Sequence, residues 1–413
     1  PAEPAGPGNK TYLWTVPVYT STLAKIKVTA LGYSNIYDES DTFTIRGGFT
    51  FVHPLLNERW QANSAKLIEW NTLGNIPQVY IRYSVNNGQA WAFVNDGSVI
   101  ANIGNYNWTI PNVIATQAKV RITDVNDALA SADSDAFFIH GSVTLTQPNG
   151  QEKFKGGQSD NASKVKWTMQ GPIPGVDLAL SSNGANGTYT TFASNQQASL
   201  LEYQWSVPTN VLSSNCFIRI RDTNDSLVED KSDLAFKIMD NIVVSAPSGG
   251  EKWVVGTQQN ITWTSLGLAP EVNIKYCIEP TLTTWQPVAS NVVNAANGSY
   301  PWTIPPTISA TTRVRLNAVI GGSEDADSVS ISAANFMIKG SIVLTVPNGG
   351  TGPTFTDKEK WGADSQQWIR WTWQGNIDKV DIHYYNGSIW VTIDPAQGLS
   401  NVGEFQWTIP PIS

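Results

Sequence analysis

Three groups of residues in this 413-residue chain have types that could do chemistry. The first is histidine: His53, His140 and His383. A histidine works as a general base only beside the group whose proton it takes. These three fall at different positions of the pattern set out below, and none stands in a recognisable motif with serine or cysteine. No phosphate-binding glycine loop, zinc-ligand spacing or dinucleotide fingerprint accompanies them. Nothing places a carboxylate pair for glycoside hydrolysis either. The second group is acidic: Asp124-Val125-Asn126-Asp127 with Asp133 and Asp135, and Asp222-Thr223-Asn224-Asp225 with Asp230 and Asp233. Oxygen-rich loops between strands can hold calcium, which makes Asp124, Asp127, Asp222 and Asp225 the candidate ligands. Their spacing matches no calcium loop, and Asp and Asn build turns without metal, so turns are the preferred reading. The third group is aromatic. Tryptophan occurs 17 times, and its flat faces can stack on sugars or partners.

The tryptophans lead back to the elements that carry them. Trp14-Thr15-Val16-Pro17, Trp108-Thr109-Ile110-Pro111, Trp205-Ser206-Val207-Pro208, Trp302-Thr303-Ile304-Pro305 and Trp407-Thr408-Ile409-Pro410 are five copies of one stretch, stepping by 94, 97, 97 and 105 residues. Steps of that size mean one small domain reused. Within each copy the apolar residues alternate with hydroxyl residues, the period of a strand with one buried face. The proline ends the strand, since it brings no N–H to a ladder. Trp70, Trp167, Trp263 and Trp371 each lie two residues after an aliphatic one, on the same strand face, and core is the expectation for them and for the Trp-Pro copies. Trp91, Trp285 and Trp390 follow hairpin turns and are the candidates for contact with a partner.

Composition narrows the class. Charged residues make up 15% of the chain and the net charge is -8, against the basic face of nucleic-acid binders. No run of 18 apolar residues exists to span a membrane. Hydrophobic residues reach 41%, enough for ordinary cores. Cys216 and Cys277 fall in different repeats, so an intradomain disulfide is not expected. The paired cations Lys25/Lys27, Lys119/Arg121, Arg219/Arg221 and Arg313/Arg315 each share one strand face, which reads as a solvated face matched by carboxylates or a charged stripe for lateral contacts. Eight Asn-x-Ser/Thr triplets occur, at Asn9, Asn107, Asn161, Asn186, Asn224, Asn260, Asn297 and Asn386. Asn186, Asn224, Asn297 and Asn386 lie near turns and are the better glycan acceptors.

Each whole repeat offers seven or eight short alternating strands in about 95 residues, the size of an immunoglobulin-like sandwich. Asn86-Asn87-Gly88 is a hairpin signal, because both residue types tolerate positive φ. The expected division is a tail of a repeat over 1–46, whole repeats over 47–139, 140–239 and 240–339, and the head of another over 340–413, after a Pro/Gly/Ala lead-in at Pro1–Gly8. The fold class is all-β, tandem immunoglobulin-like β-sandwich domains arranged as a rod, since connections of about three residues limit hinge freedom.

The clearest copy runs Pro247-Ser248-Gly249-Gly250-Glu251, Trp253, Ile261-Thr262-Trp263, Val272-Asn273-Ile274-Lys275-Tyr276, Trp285, Gly298-Ser299-Tyr300, Trp302-Thr303-Ile304-Pro305 and Arg313-Val314-Arg315. That run resembles the Kre9/Knh1-like, Ser-Thr-rich surface-protein domain, whose tandem bacterial versions decorate large secreted and surface proteins. The similarity covers nearly all of 47–413, departing at Pro54-Leu55-Leu56-Asn57-Glu58, where the Gly-Gly is missing. It implies no catalytic residues. The expectation is a non-enzymatic structural protein, outside the cell or on its surface, serving as fibre, stalk, sheath or surface-layer component. It needs no cofactor, and its partners are neighbouring repeats, other copies of itself or glycans. The alternative is a carbohydrate-binding or adhesin array attached to a secreted enzyme. The partial repeats at 1–46 and 340–413 favour a window on a longer chain over pairing of one copy's tail with another's head, because the latter would duplicate the strand of Trp14 and Trp407. An intact mass equal to that of the 413 residues would reverse that preference.

Overall fold

A computed structural model describes residues 11–289, 291–349, 359–393 and 398–411. The lead-in Pro1–Gly8, the triplet at Asn9 and Gly350 lie outside the described residues. The protein is all-β, a tandem of β-sandwiches. Two compact units share the chain: Pro1–Gly150 with Lys164–Gln204 and Phe217–Ala235, and Gln151–Ser163 with Trp205–Cys216 and Phe236–Ser413. The division runs through the second repeat.

In the first unit, Gly48–His53, Ala65–Leu73 and Asn105–Thr109 form a three-stranded sheet. The opposing sheet of the same repeat is ordered Ile100–Ala101, Gln78–Ser84, Ala115–Asp124, Phe137–His140 and Arg59–Gln61, the last pair running parallel. The inward residues of both sheets form one core that includes Trp60, Ile68, Trp70, Ile81, Trp108, Ile122 and Phe137. This unit also holds the second repeat's three-stranded sheet, Ser142–Gln147, Lys164–Gln170 and Glu202–Gln204. In the second unit the third repeat repeats the plan. Asn241–Ala246, Gln258–Leu266 and Ser299–Thr303 make one sheet. Lys252–Val254, Phe336–Lys339, Ser309–Ile320 and Glu271–Cys277 lead the other.

The Trp-Pro stretch is interior in these repeats: Trp108, Trp205 and Trp302 are all buried. Each abuts other rings, as Trp302 does with Tyr276 at 5.0 Å and Trp253 at 6.0 Å between centroids. The second set of tryptophans is buried too, and each indole N–H is satisfied. Trp70 donates to Asn102 Oδ1, Trp167 to the Ala198 carbonyl, Trp263 to the Ala295 carbonyl and Trp371 to Asn401 Oδ1, all within 2.7–2.9 Å. A buried indole keeps its apolar payload only if its N–H finds an acceptor, and the loop before the Trp-Pro stretch supplies one every time.

Four sequence expectations need correction. Trp14 lies in no strand and is 42% exposed. Residues 11–46 form only two-stranded pairings, Ser21–Ala24 with Phe43–Ile45 and Lys27–Ala30 with Tyr33–Glu39, so no opposing sheet covers it. The strand before Trp205 stops at Gln204, because the Ser163 hydroxyl takes the Trp205 carbonyl where a ladder bond would have gone. The expected strand Val380–Tyr384 is broken into Lys379–Val380 and His383–Tyr385. In the third repeat the matching strand, Glu271–Cys277, is continuous because Ser309–Ile320 pairs along its length. Residues 341–411 hold no such neighbour among the described residues. The strand count also exceeds seven or eight, because edge pieces of two or three residues, such as Ala92–Phe93 and Val293–Asn294, join the sheets. The Asn-Gly hairpin is present: Asn87 and Gly88 have φ of 56° and 87°, between strands that pair antiparallel.

Candidate functional sites and the joints between repeats

The motif Pro-x-Gly-Gly-Glu closes a turn. Glu251 accepts from the backbone N–H of Ser248 at 2.6 Å and of Gly249 at 2.7 Å, and from the Ser248 hydroxyl. Glu58 does the same for Leu55 N–H at 2.8 Å, and Glu359 for Asn348 N–H at 2.9 Å. The turn needs a left-handed residue before the glutamate. Gly250 has φ of 81°, and Asn57, where the glycine is missing, adopts 62°. Asparagine tolerates that region, so the first repeat keeps the turn. Burial pushes the Glu251 carboxyl up, yet the donated hydrogen bonds outweigh it and hold it below its ordinary value of 4.5. A folded value below the unfolded one stabilises fully above the unfolded value and is lost as pH falls through the folded one. The melting temperature is therefore expected to hold at neutral pH and to drop below about pH 4.5, with Glu251→Gln flattening part of that drop in a calorimetric pH series.

The acidic turns are occupied by protein. Asp124 Oδ1 caps Asn126 N–H and Asp127 Oδ1 caps Leu129 N–H; Asp222 and Asp225 do the same for Asn224 and Leu227. The outer oxygens of Asp127 and Asp225 meet cations of the preceding repeat. Arg46 Nε donates to Asp127 Oδ2 at 2.6 Å, and Arg59 pairs with Asp225. In the second unit the third repeat makes a similar contact from a strand, Ser323–Ile331: Lys153 reaches Asp327 at 2.5 Å, and Lys237 reaches Asp325 at 2.6 Å and Asp327 at 2.9 Å. Arg46 and the Leu129 N–H hold the Asp127 carboxyl below the usual carboxylate range, as Lys153 and Lys237 hold Asp327. Burial pushes Asp222 up. No group of three or more metal-ligating side chains forms among the described residues. Since these carboxylates already have partners, millimolar calcium and a chelator are expected to leave the melting temperature within about 1 °C of each other; a rise of several degrees with calcium would show ion binding.

Adjoining strands of successive repeats are separated by a single residue. Phe137–His140 is followed by Ser142–Gln147, Phe236–Met239 by Asn241–Ala246, and Phe336–Lys339 by Ser341–Val346. The residue between is Gly141, Asp240 or Gly340, and another glycine crosses it. A Cβ on Gly171 would lie 2.9 Å from Gly141 Cα, and one on Gly375 3.3 Å from Gly340 Cα. The buried carboxylate of Asp240 instead accepts from Ser265 Oγ and the Ala269 N–H. The sequence reading missed these joints. Their signal was a cation before the aromatic in Arg59-Trp60 and Lys153-Phe154, and the boundary glycines Gly141 and Gly340.

The candidate partner tryptophans separate. Trp91 and Trp285 are half-buried beneath arginines, Arg121 at 4.3 Å and Arg315 at 4.5 Å from the ring centroids. Tyr189 takes the same place under Arg219 at 4.8 Å. Such stacks are ordinary cation–π contacts, and Arg121 is held further by both oxygens of Asp133. Arg221 meets Glu229 likewise. Lys27, Arg121, Arg219 and Arg221 are thus matched by carboxylates, as on a solvated face, while Arg313 donates to Asn335 and the Ser332 carbonyl. Trp390 differs: it is 70% exposed, beside Tyr385 at 5.5 Å. Asn186, Asn224, Asn297 and Asn386 are all exposed. The Asn386 side chain is engaged by Ser388 and Ile389 N–H. His53 contacts Glu58, His140 its neighbour's carbonyl and His383 the Thr392 hydroxyl, so none faces a nucleophile held by a third group. Cys216 and Cys277 are buried free thiols. No described helix is long and apolar enough to cross a membrane.

No family model matches this sequence, and no curated protein does. Solved structures that are similar are tandem modules. Fibronectin(III)-like modules of Clostridium thermocellum CbhA are 16% identical, with 46% of this chain and 94% of that one covered and a TM-score of 0.18. An I-band fragment from titin is 8% identical over 70% and 98%, TM-score 0.24. The N-terminal four immunoglobulin domains of a Dscam1 isoform are 12% identical over 89% and 93%, TM-score 0.22. Likenesses at this level lend nothing to the reading of function.

Proposed function

We propose that this chain is a non-enzymatic structural array of the Kre9/Knh1-like, Ser-Thr-rich surface kind, working outside the cell as part of a fibre, stalk, sheath or surface layer. The observation that carries the reading is the joint: one connecting residue, a glycine crossing and a cation on an aspartate of the next repeat. Flexible linkers would serve a tethered binding module equally well, whereas docked repeats serve a load-bearing or spacing element. The polar side chains that recur, the motif glutamate and the turn aspartates, are spent on backbone and neighbour contacts. Micrographs of the purified protein are expected to show stiff particles of one length; collapsed, freely jointed beads would sink the reading.

A carbohydrate-binding array is the second reading, and Trp390 with Tyr385 favours it as an exposed aromatic pair. Binding on a glycan array that disappears in Trp390→Ala would support it. Trp285 is the poorer platform, since Arg315 covers one of its faces.

A further inference from the structure

A stacked arginine recurs in all three whole repeats: Arg121 lies over Trp91, Arg219 over Tyr189 and Arg315 over Trp285. Stacking uses the flat face of a guanidinium and leaves its edge of N–H donors to be answered elsewhere. In the first repeat Asp133, directly opposite Arg121 on the neighbouring strand, answers that edge with both oxygens, at 2.5 and 2.8 Å. In the second, Glu229 stands 3.9 Å from Arg219. In the third, the residue directly opposite Arg315 on that side is Ile331, which is 40% exposed. Among the described residues the Arg315 guanidinium forms no hydrogen bond or ion pair, and its Nε is buried with nothing to accept from it. The side chain as a whole is half-buried, so its terminal nitrogens are what a ligand meets.

The neighbours narrow the kind of acid that fits. Lys275, opposite Arg315 on its other flank, is joined to Glu324 at 2.5 Å, and the same Glu324 oxygen accepts from Asn273 at 2.6 Å. Burial pushes the Glu324 carboxyl up, but Lys275, Asn273 and the charge of Arg315 hold it below its ordinary value of 4.5. A ligand with several negative charges would bring its others against Glu324, whereas one with a single carboxylate does not. Arg313 lies two residues along the strand and so on the same face. It donates through Nε to Asn335 and through Nη1 to the Ser332 carbonyl, which leaves Nη2 as a spare donor. Ile331 supplies an exposed apolar surface beside both. The cluster therefore suits one carboxylate, a nearby oxygen that accepts, and an apolar face.

We propose that Arg315, with Arg313 and Ile331, is a binding site for a uronic-acid residue of an acidic glycan. The sugar carboxylate takes paired N–H bonds from Arg315, the charge-assisted arrangement that guanidinium geometry favours. A ring hydroxyl oxygen accepts from Arg313 Nη2, and the C–H face of the pyranose lies on Ile331. An aspartate or glutamate of a protein partner brings the carboxylate without the hydroxyl or the ring face. Trp285 is a positioning residue here: its ring holds the guanidinium plane, and its own N–H is spent on the Leu282 carbonyl. The first repeat has the same stack but no such site, because Asp133 already fills the place of the ligand carboxylate. The inference goes beyond the array reading, does not rest on it, and is separate from the exposed pair Trp390 and Tyr385.

The test is a titration of the 413-residue chain with a disaccharide of one glucuronate and one neutral sugar, followed by NMR at the Trp285 indole N–H. The same disaccharide with its carboxyl reduced to an alcohol is the uncharged match, and N-acetyl-glutamate amide is the peptide match. The uronate is expected to shift the Trp285 signal and to bind about tenfold or more tighter than either match. Arg315→Gln is expected to weaken it about tenfold or more. Ile331→Asp sets a carboxylate opposite Arg315 as Asp133 is set opposite Arg121, and is expected to close the site from within by a similar factor. The indole signals of Trp263 and Trp302 should stay in place in that variant, so that a folding defect does not account for the loss. Arg121→Gln is expected to leave binding unchanged. No shift at Trp285 at any attainable concentration, equal binding of the reduced sugar or of the glutamate amide, or undiminished binding by Ile331→Asp would each overturn the proposal. Stiff particles or collapsed beads in micrographs bear on the array reading alone.

Discussion

Trp302→Ala is expected to destabilise the third repeat by about 3–5 kcal/mol, the range for deleting a fully buried aromatic side chain whose neighbours cannot collapse into the space. The neighbours here are rings on three other strands, Trp253, Tyr276 and Phe336. Each is fixed by its own ladder, so relaxation into the cavity is small. The backbone of Trp302 also pairs with Gln259, which keeps the truncated strand in place around an unfilled hole. Trp390→Ala makes the control. That ring is mostly in solvent, and surface changes of this kind stay within about 0.5 kcal/mol. A denaturant melt followed by tryptophan fluorescence reads both; equal effects would mean that the Trp-Pro strand is not an interior element.

The second large effect is expected at a joint. Gly141→Val should cost about 1–3 kcal/mol, the usual range for overpacking. A Cβ at that position would lie 2.6 Å from Ile173 Cγ1 and 2.7 Å from the Gln170 carbonyl. The isoleucine can turn away, but the carbonyl belongs to a strand paired with Ser142 and cannot. Because Gly141 joins the last strand of one repeat to the first of the next, the damage falls on the coupling as well as the fold. Calorimetry is expected to resolve separate transitions for the first and second repeats in the variant where the wild type shows them merged. A variant that melts as one unit at the wild-type temperature would mean that the joint is not a packed element.

The fold class was open to sequence reasoning because its signals are local. Alternation around Trp108 and Trp302, Asn-Gly after Tyr83, and a proline after each stretch all act within one strand or turn. The joints were hidden because their partners are remote: Arg46 meets Asp127 across 81 positions and Arg59 meets Asp225 across 166. Trp14 shows the same limit from the other side. Its stretch has the right letters, but a strand is stable only against a neighbour, and residues 11–46 supply no opposing sheet. The missing Gly-Gly before Glu58 looked like a break in the motif, whereas Asn57 supplies the left-handed residue that the turn requires. The acidic turns invited calcium because their composition was visible and the arginines docking on them were not.

Indole N–H exchange in heavy water, followed by NMR, tests most directly whether the tryptophans are walled into successive sandwiches. The account predicts slow exchange at Trp70, Trp108, Trp167, Trp263 and Trp302, all buried, and loss within the dead time at Trp14 and Trp390. Fast exchange at the first five, or signals among them that move on adding a soluble glycan, would contradict it.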